Sequence, residues 1–208
     1  MSLPKTEINA VLGDWKLVKN HCRVTDNKDF TDKEPSKEWC KKMIVTEHSP
    51  IRTLLFDITW RDMPYWVHAE LARHKWEKFI STQRDDRVNS DTPRGQKPQD
   101  TPVRFDGFAN PQNLIDMARK RLCFCATPEA RSYIVSLKFE LKDYGYEEVA
   151  DAMVPHCVYR CGCPEAFNKA CNFFDTFARI ANERHVNLFD IQSRYDLYNE
   201  LLEKAERK

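Results

Sequence analysis

Ile51-Arg52-Thr53-Leu54-Leu55-Phe56-Asp57-Ile58-Thr59-Trp60 is the stretch whose reading decides the fold. Its β-branched and aromatic residues suit a pleated, half-buried surface, and it is long enough for a central strand. Helical signals flank it on both sides. Upstream, Ser36 stands as an N-cap before the apolar stripe Trp39, Cys40, Met43 and Ile44, which predicts a helix ending near Glu47. Downstream, Pro64 suits a first helical turn, and Trp66, Val67, Leu71 and Trp76 keep approximate helical spacing through Lys78. A strand set between amphipathic helices predicts an α/β (α+β) fold with a central antiparallel-type sheet flanked by helices.

Outward from this centre, Trp15-Lys16-Leu17-Val18-Lys19 and Cys22-Arg23-Val24-Thr25 read as short strands, and Asp26 to Pro35 as a charged loop. From Gln83 to Gly107 the chain is polar, with three prolines and two glycines and almost no apolar periodicity. A stretch of that kind inside a compact domain reads as a functional loop, here a substrate loop over 83–107. Asn110 then caps a helix with Pro111 at its first position, running through Leu114, Ile115, Ala118 and Leu122. Pro128 opens another, with Tyr133, Ile134, Leu137 and Leu141 on one face, up to a break at Asp143-Tyr144-Gly145-Tyr146. Pro164 to Ala181 and Asp190 to Lys204 read as two closing helices, the last polar and peripheral. Residues 145–208 thus form a helical C-terminal extension of a single domain spanning 1–208.

The chain has 208 residues, enough for one substantial core. With 33 basic and 32 acidic residues the net charge is +1, so no global field draws in long nucleic acid or an anionic membrane, and any anion site is local. There is no apolar run of about 18 residues to span a membrane, and MSLPKTEINA lacks the apolar core of a signal peptide. The expected location is cytoplasmic. Eight cysteines without a secretory signal read as reduced, mostly buried thiols. His156-Cys157, Cys161, Cys163 and Cys171 carry zinc-ligand chemistry, but their Cys-x3-Cys-x-Cys-x7-Cys spacing is not a Cys-x2-Cys knuckle pair. Cys123-x-Cys125, read as helical, places its thiols on different faces. No metal is expected on this reading.

The chemistry-bearing cluster is Arg73-His74-Lys75, joined by Ser81-Thr82-Gln83-Arg84-Asp85-Asp86-Arg87. On a helix, three consecutive side chains fan over roughly 200°, so at least one of the triplet points inward or at a partner. The plain alternative is a solvated helix end whose cations complement the C-terminal dipole. Nearby Arg84 and Arg87 favour an anion site, since converging guanidinium groups recognise phosphate and carboxylate.

These residues carry a resemblance. His48, the strand Ile51 to Trp60, and Arg73-His74-Lys75 resemble the FAD-dependent thymidylate synthases, whose signature is a His before a central strand and a helix ending in Arg-His-Arg, then seven residues and a Ser. Asn110-Pro111-Gln112-Asn113-Leu114-Ile115, with Arg121 eleven residues after Asn110, resembles that family's Asn-x-Arg-Ser-Leu helix and pyrimidine-contacting arginine. The likeness spans roughly residues 15 to 140. It departs at Lys75 for Arg, Gln83 for Ser, Glu70 for Gln and Gln112 for Arg.

The resemblance implies that His48, Arg73, His74, Lys75, Asn110 and Gln112 border FAD, and that Glu70, Ser81, Gln83, Arg84, Arg87 and Arg121 serve a deoxyuridine monophosphate substrate. Which of Ser81, Gln83, Arg84 and Arg87 replaces the family's serine stays open. Arg121 is the implied catalytic residue, methylenetetrahydrofolate and NADPH are the implied co-substrates, and a homotetramer with shared sites is the implied assembly. The alternatives are a pyrimidine-nucleotide-modifying flavoenzyme of different outcome, such as hydroxymethylation, and a non-catalytic nucleotide- or zinc-binding protein.

Overall fold

A computed structural model of the chain describes residues 3–88, 91–165 and 170–206. Its sheet has four strands, β1 (Thr6–Leu12), β2 (Leu55–Pro64), β3 (Glu77–Ile80) and β4 (Pro102–Ala109), in the order β1-β2-β4-β3 and antiparallel at every described pairing. The central-strand expectation holds for Leu55 onward. Ser49–Thr53 instead forms a 3-10 turn, as Pro50 sits where such a turn begins. Phe56, Ile58 and Trp60 of β2 are buried on alternate positions. The Trp60 ring stacks on Phe105 of β4 at 5.7 Å and meets Trp76 edge-on at 5.8 Å.

The helices are α1 (Trp15–Thr25), α2 (Lys37–Val45), α3 (Tyr65–Leu71), α4 (Asp85–Val88), α5 (Pro111–Arg121), α6 (Pro128–Asp143), α7 (Glu147–Ala152), α8 (His156–Arg160), α9 (Phe173–Glu183) and α10 (Ile191–Glu206). A continuous core runs from β2 and β4 through α5 and α6 into α7, α8 and α10. Several elements follow from local signals. Ser36 Oγ accepts from Trp39 N to open α2. At α5, the Asn110 side chain accepts from Asn113 N at 3.0 Å and Asn113 Oδ1 accepts from Asn110 N at 3.1 Å, a reciprocal capping box with Pro111 at the first position.

Five expectations are corrected. Residues 15–25, expected as two strands, form α1, because Asp14 Oδ1 accepts from Leu17 N and Trp15, Val18 and Cys22 share one helical face. The first strand lies earlier, at Thr6–Leu12, and is defined by pairing Thr6 with Trp60 and Leu12 with Leu55. The helix from Pro64 ends at Leu71 rather than Lys78. Residues 77–80 instead pair with β4, and Trp76 Nε1 donates to Leu71 O, folding the chain back. The polar stretch 83–107 runs into β4, whose Val103, Phe105, Gly107 and Ala109 alternate inward. Finally, α10 is not peripheral: Tyr195, Leu197 and Tyr198 are buried, and the Arg194 guanidinium donates to Val158 O, Leu188 O and Tyr159 O. The closing helix expected from Pro164 begins at Phe173, and residues 166–169 lie outside the described residues.

Candidate functional site

The end of α5 delivers Arg121 to the turn that follows α3. There its Nη1 donates to Glu70 Oε2 at 2.7 Å, its Nη2 to the Glu70 carbonyl at 2.8 Å, and its Nε to His74 Nε2 at 3.0 Å. Thr127 Oγ1 donates to the other Glu70 oxygen at 3.2 Å. His74 Nε2 can accept only on a neutral ring, and burial with the neighbouring Arg121 charge pulls the His74 pKa down to about 4. Lys78 Nζ donates to His74 O at 2.6 Å and locks the turn from the other side. Burial also pushes the Arg121 pKa downward, against the Glu70 charge.

Arg121 and His74 line a cavity of about 600 Å³ that continues past Cys123 and Cys125 to His156, Cys157 and the start of α9. Its size suits a small molecule. A guanidinium has five N–H donors. Three are spent on Glu70 and His74, so two remain in a head group whose orientation is already fixed.

The other expected site residues lie elsewhere. Arg73 and Lys75 flank His74 as exposed cations on the same turn. Gln112 Nε2 donates to Glu47 Oε2 at 2.6 Å, beside an Arg119–Glu47 ion pair, and Arg119 lies 3.6 Å over the Tyr159 ring. Exposed His48 follows Glu47, with Cys22 Sγ 3.9 Å from its Nδ1. The Asn110 side chain is engaged in the α5 cap. Ser81 Oγ accepts from Arg104 N at 3.0 Å, extending the β3–β4 edge. Gln83 O accepts from Lys97, Arg84 forms a two-pronged pair with Asp86, and Arg87 is exposed on α4. One group, Glu70, His74 and Arg121, is therefore brought together; Arg119, paired with Glu47 beside Gln112, lines the same cavity, and the Ser81-to-Arg87 segment does not.

No family model and no curated protein matches the sequence. Solved structures do match. The crystal structure of the flavin-dependent thymidylate synthase ThyX from Helicobacter pylori, complexed with FAD and dUMP, superposes with a TM-score of 0.59 over 71% of this chain and 99% of that one, at 11% identity. A second structure of Helicobacter pylori ThyX with FAD and dUMP gives 0.59 over 72% and 99%, at 10% identity. The fold is that of the flavin-dependent thymidylate synthases.

On this thymidylate synthase fold, sequence reasoning named Glu70, His74 and Arg121 without pairing them, weighed His156 and the cysteines only as metal-ligand chemistry, and missed Thr127. The available signal was Cys123-x-Cys125, two residues beyond Arg121. Read as helix it separated the thiols, whereas residues 122–127 form a turn and both cysteines line the cavity.

Proposed function

We propose that the chain is a flavin-dependent enzyme of the thymidylate synthase kind that methylates deoxyuridine monophosphate at C5. Methylenetetrahydrofolate would supply the carbon and NADPH the reducing equivalents. The observation that carries this reading is the Arg121 guanidinium, held by Glu70 and His74 with two donors unspent at the cavity wall. Those donors suit a pyrimidine carbonyl, where they stabilise the negative charge that develops as the ring is attacked. The likeness to structures holding FAD and dUMP supports the same substrate class.

The donor set fits a phosphate-bearing cofactor. Arg73 and Lys75 are exposed cations on the turn beside His74 and would receive FAD phosphates, with His48, Asn110 and Gln112 as further implied contacts. FAD, when bound, supplies the hydride transfer that an amino-acid side chain cannot. Ser81, Gln83, Arg84 or Arg87 would hold the nucleotide phosphate. Arg84 is tied to Asp86, so phosphate must displace that carboxylate to use it. The Ser81-to-Arg87 segment does not line the Arg121 cavity of its own chain, and a homotetramer with sites shared between subunits is the assembly that goes with this reading.

The departures from the family signature at Glu70, Lys75, Gln83 and Gln112 support a second reading, a relative that modifies a pyrimidine nucleotide to a different product, such as a hydroxymethylated base. Product mass distinguishes the two. The test is the visible spectrum of protein reconstituted with FAD, desalted and titrated with deoxyuridine monophosphate, followed by turnover with both co-substrates. Retained flavin whose bands shift with nucleotide, and a thymidine monophosphate product, are expected. Protein that retains no flavin and binds no nucleotide overturns the proposal. Arg121→Ala should lose turnover by roughly 10²–10³-fold while keeping flavin, and unchanged turnover would remove Arg121 from the chemistry.

A further inference from the structure

The cavity beside Arg121 is lined by more cations than carboxylates: Arg119, Lys120, Arg121 and Arg160 against Glu165 and Asp175. Arg119 and Arg121 are already paired with Glu47 and Glu70. Lys120 and Arg160 differ from them. Both are exposed, and among the described residues neither side chain makes an ion pair or a hydrogen bond. Lys120 stands one residue before the end of α5 and Arg160 at the end of α8. Cations there complement a helix dipole, but the dipole does not require the ends of two helices to open on one cavity.

The wall that carries them is well tied. The Arg119 guanidinium lies 3.6 Å over the Tyr159 ring, Tyr159 stacks on His156 at 6.1 Å, and Arg194 donates to Val158 O and Tyr159 O of α8. Burial, with the charges of Lys120, Arg160 and Arg119, holds the His156 pKa below its usual value. Its ring is therefore neutral at pH 7 and offers an N–H donor without adding charge. The start of α9 adds apolar lining: Phe173 and Phe174 border the cavity, and Phe173 stacks on Phe124 at 4.6 Å.

We propose that Lys120 and Arg160 form a phosphate subsite in this cavity, taking the monophosphate of a small heterocyclic ester whose ring is left to Arg121, Phe173 and Phe174. A phosphate monoester carries about −1.5 to −2 charge at pH 7 on three acceptor oxygens, which suits two uncompensated cations better than a carboxylate does. Arg160 supplies a planar fork for a pair of those oxygens, and Lys120 a compact charge. The resemblance gives a role to neither residue. That the ester is deoxyuridine monophosphate rests on the flavin-dependent reading, whereas the subsite itself does not. Ser81, Gln83, Arg84 and Arg87 do not line this cavity, so in a shared site they would reach the phosphate from another subunit. Lys120 and Arg160 are then the phosphate contacts made within the chain.

The experiment titrates full-length protein, in excess FAD, with deoxyuridine monophosphate and with deoxyuridine by calorimetry. It compares the wild type, Lys120→Ala, Arg160→Ala and, as an equal charge change away from the cavity, Lys28→Ala. The wild type and Lys28→Ala should prefer the monophosphate. Each cavity variant should bind the monophosphate about 10–100-fold more weakly and deoxyuridine unchanged, since only one ligand carries the group these cations contact. A preference retained in both variants overturns the proposal. So does equal weakening of both ligands, the result of a purely structural role at the helix ends, and so does a wild type that binds both ligands equally. Inorganic phosphate, followed by phosphorus NMR line broadening, separates this inference from the flavin-dependent reading. If the wild type takes neither pyrimidine ligand, that reading fails, and the subsite stands only if inorganic phosphate binds the wild type and is weakened in both variants. Absence of phosphate binding then overturns the subsite as well.

Discussion

His74 is the residue whose environment makes the sharpest solution prediction. Its pKa falls from 6.5 to about 4 because burial and Arg121 oppose its charge. A depressed pKa means that the unfolded chain takes up the proton first as pH falls. The stabilising contribution of neutral His74 is therefore complete above about 6.5, and is lost progressively as pH drops toward 4. Urea midpoints measured across this window should decline less steeply in His74→Gln than in the wild type, with the other histidines cancelling in the comparison. Equal slopes would mean that the imidazole is not held neutral. Arg121 and Glu70 show the limit of linear reading at this scale. Both were named as substrate residues, but they are 51 residues apart, and that they hold each other appears only once α3 and the end of α5 are placed side by side.

Among elements, α5 and β4 illustrate opposite degrees of legibility. The α5 start was readable because its cap is an interaction between residues three apart, and Asn110→Ala should cost about 1 kcal/mol in equilibrium unfolding. A variant as stable as the wild type would make the capping box energetically idle. β4 was hidden inside a polar stretch because its partners are distant. Its Gly107 is needed for packing: a Cβ there would come within 2.9 Å of both the Trp76 ring and the Glu77 carbonyl. Gly107→Ala should destabilise by about 1–3 kcal/mol through displacement of Trp76, seen as a lower denaturant midpoint together with altered tryptophan fluorescence. The misreading of residues 15–25 has the same root, since short runs of alternating apolar and polar residues fit either period until a cap decides.

For the whole molecule, the decisive group is Lys138, a fully buried ammonium on the face of α6. It donates to the Ala150 and Met153 carbonyls at the end of α7, and to Asn199 Oδ1 of α10 at 2.9 Å. One cation thus joins three helices, supplying a donor to the Met153 carbonyl and a second donor to the Ala150 carbonyl, which also accepts from Met153 N. Lys138→Met should destabilise by about 2–3 kcal/mol, because the Met153 carbonyl and Asn199 Oδ1 stay buried without this donor. Chemical denaturation measures this, and a loss below about 1 kcal/mol would show that water takes over the role. By itself the sequence determined the mixed class, the strand at Leu55 onward, the caps of α2 and α5, the extent of α6, and the candidate basic cluster. Each of these rests on interactions within a few residues along the chain, or on apolar periodicity that the chain carries locally. Only the tertiary structure decided that Glu77–Ile80 is an edge strand, that α10 is buried, that Arg121 is clasped by Glu70 and His74, and that thiols from three stretches meet at one cavity. Those depend on which distant surfaces supply hydrogen-bond partners and exclude water, and a local pattern does not encode its partner's address.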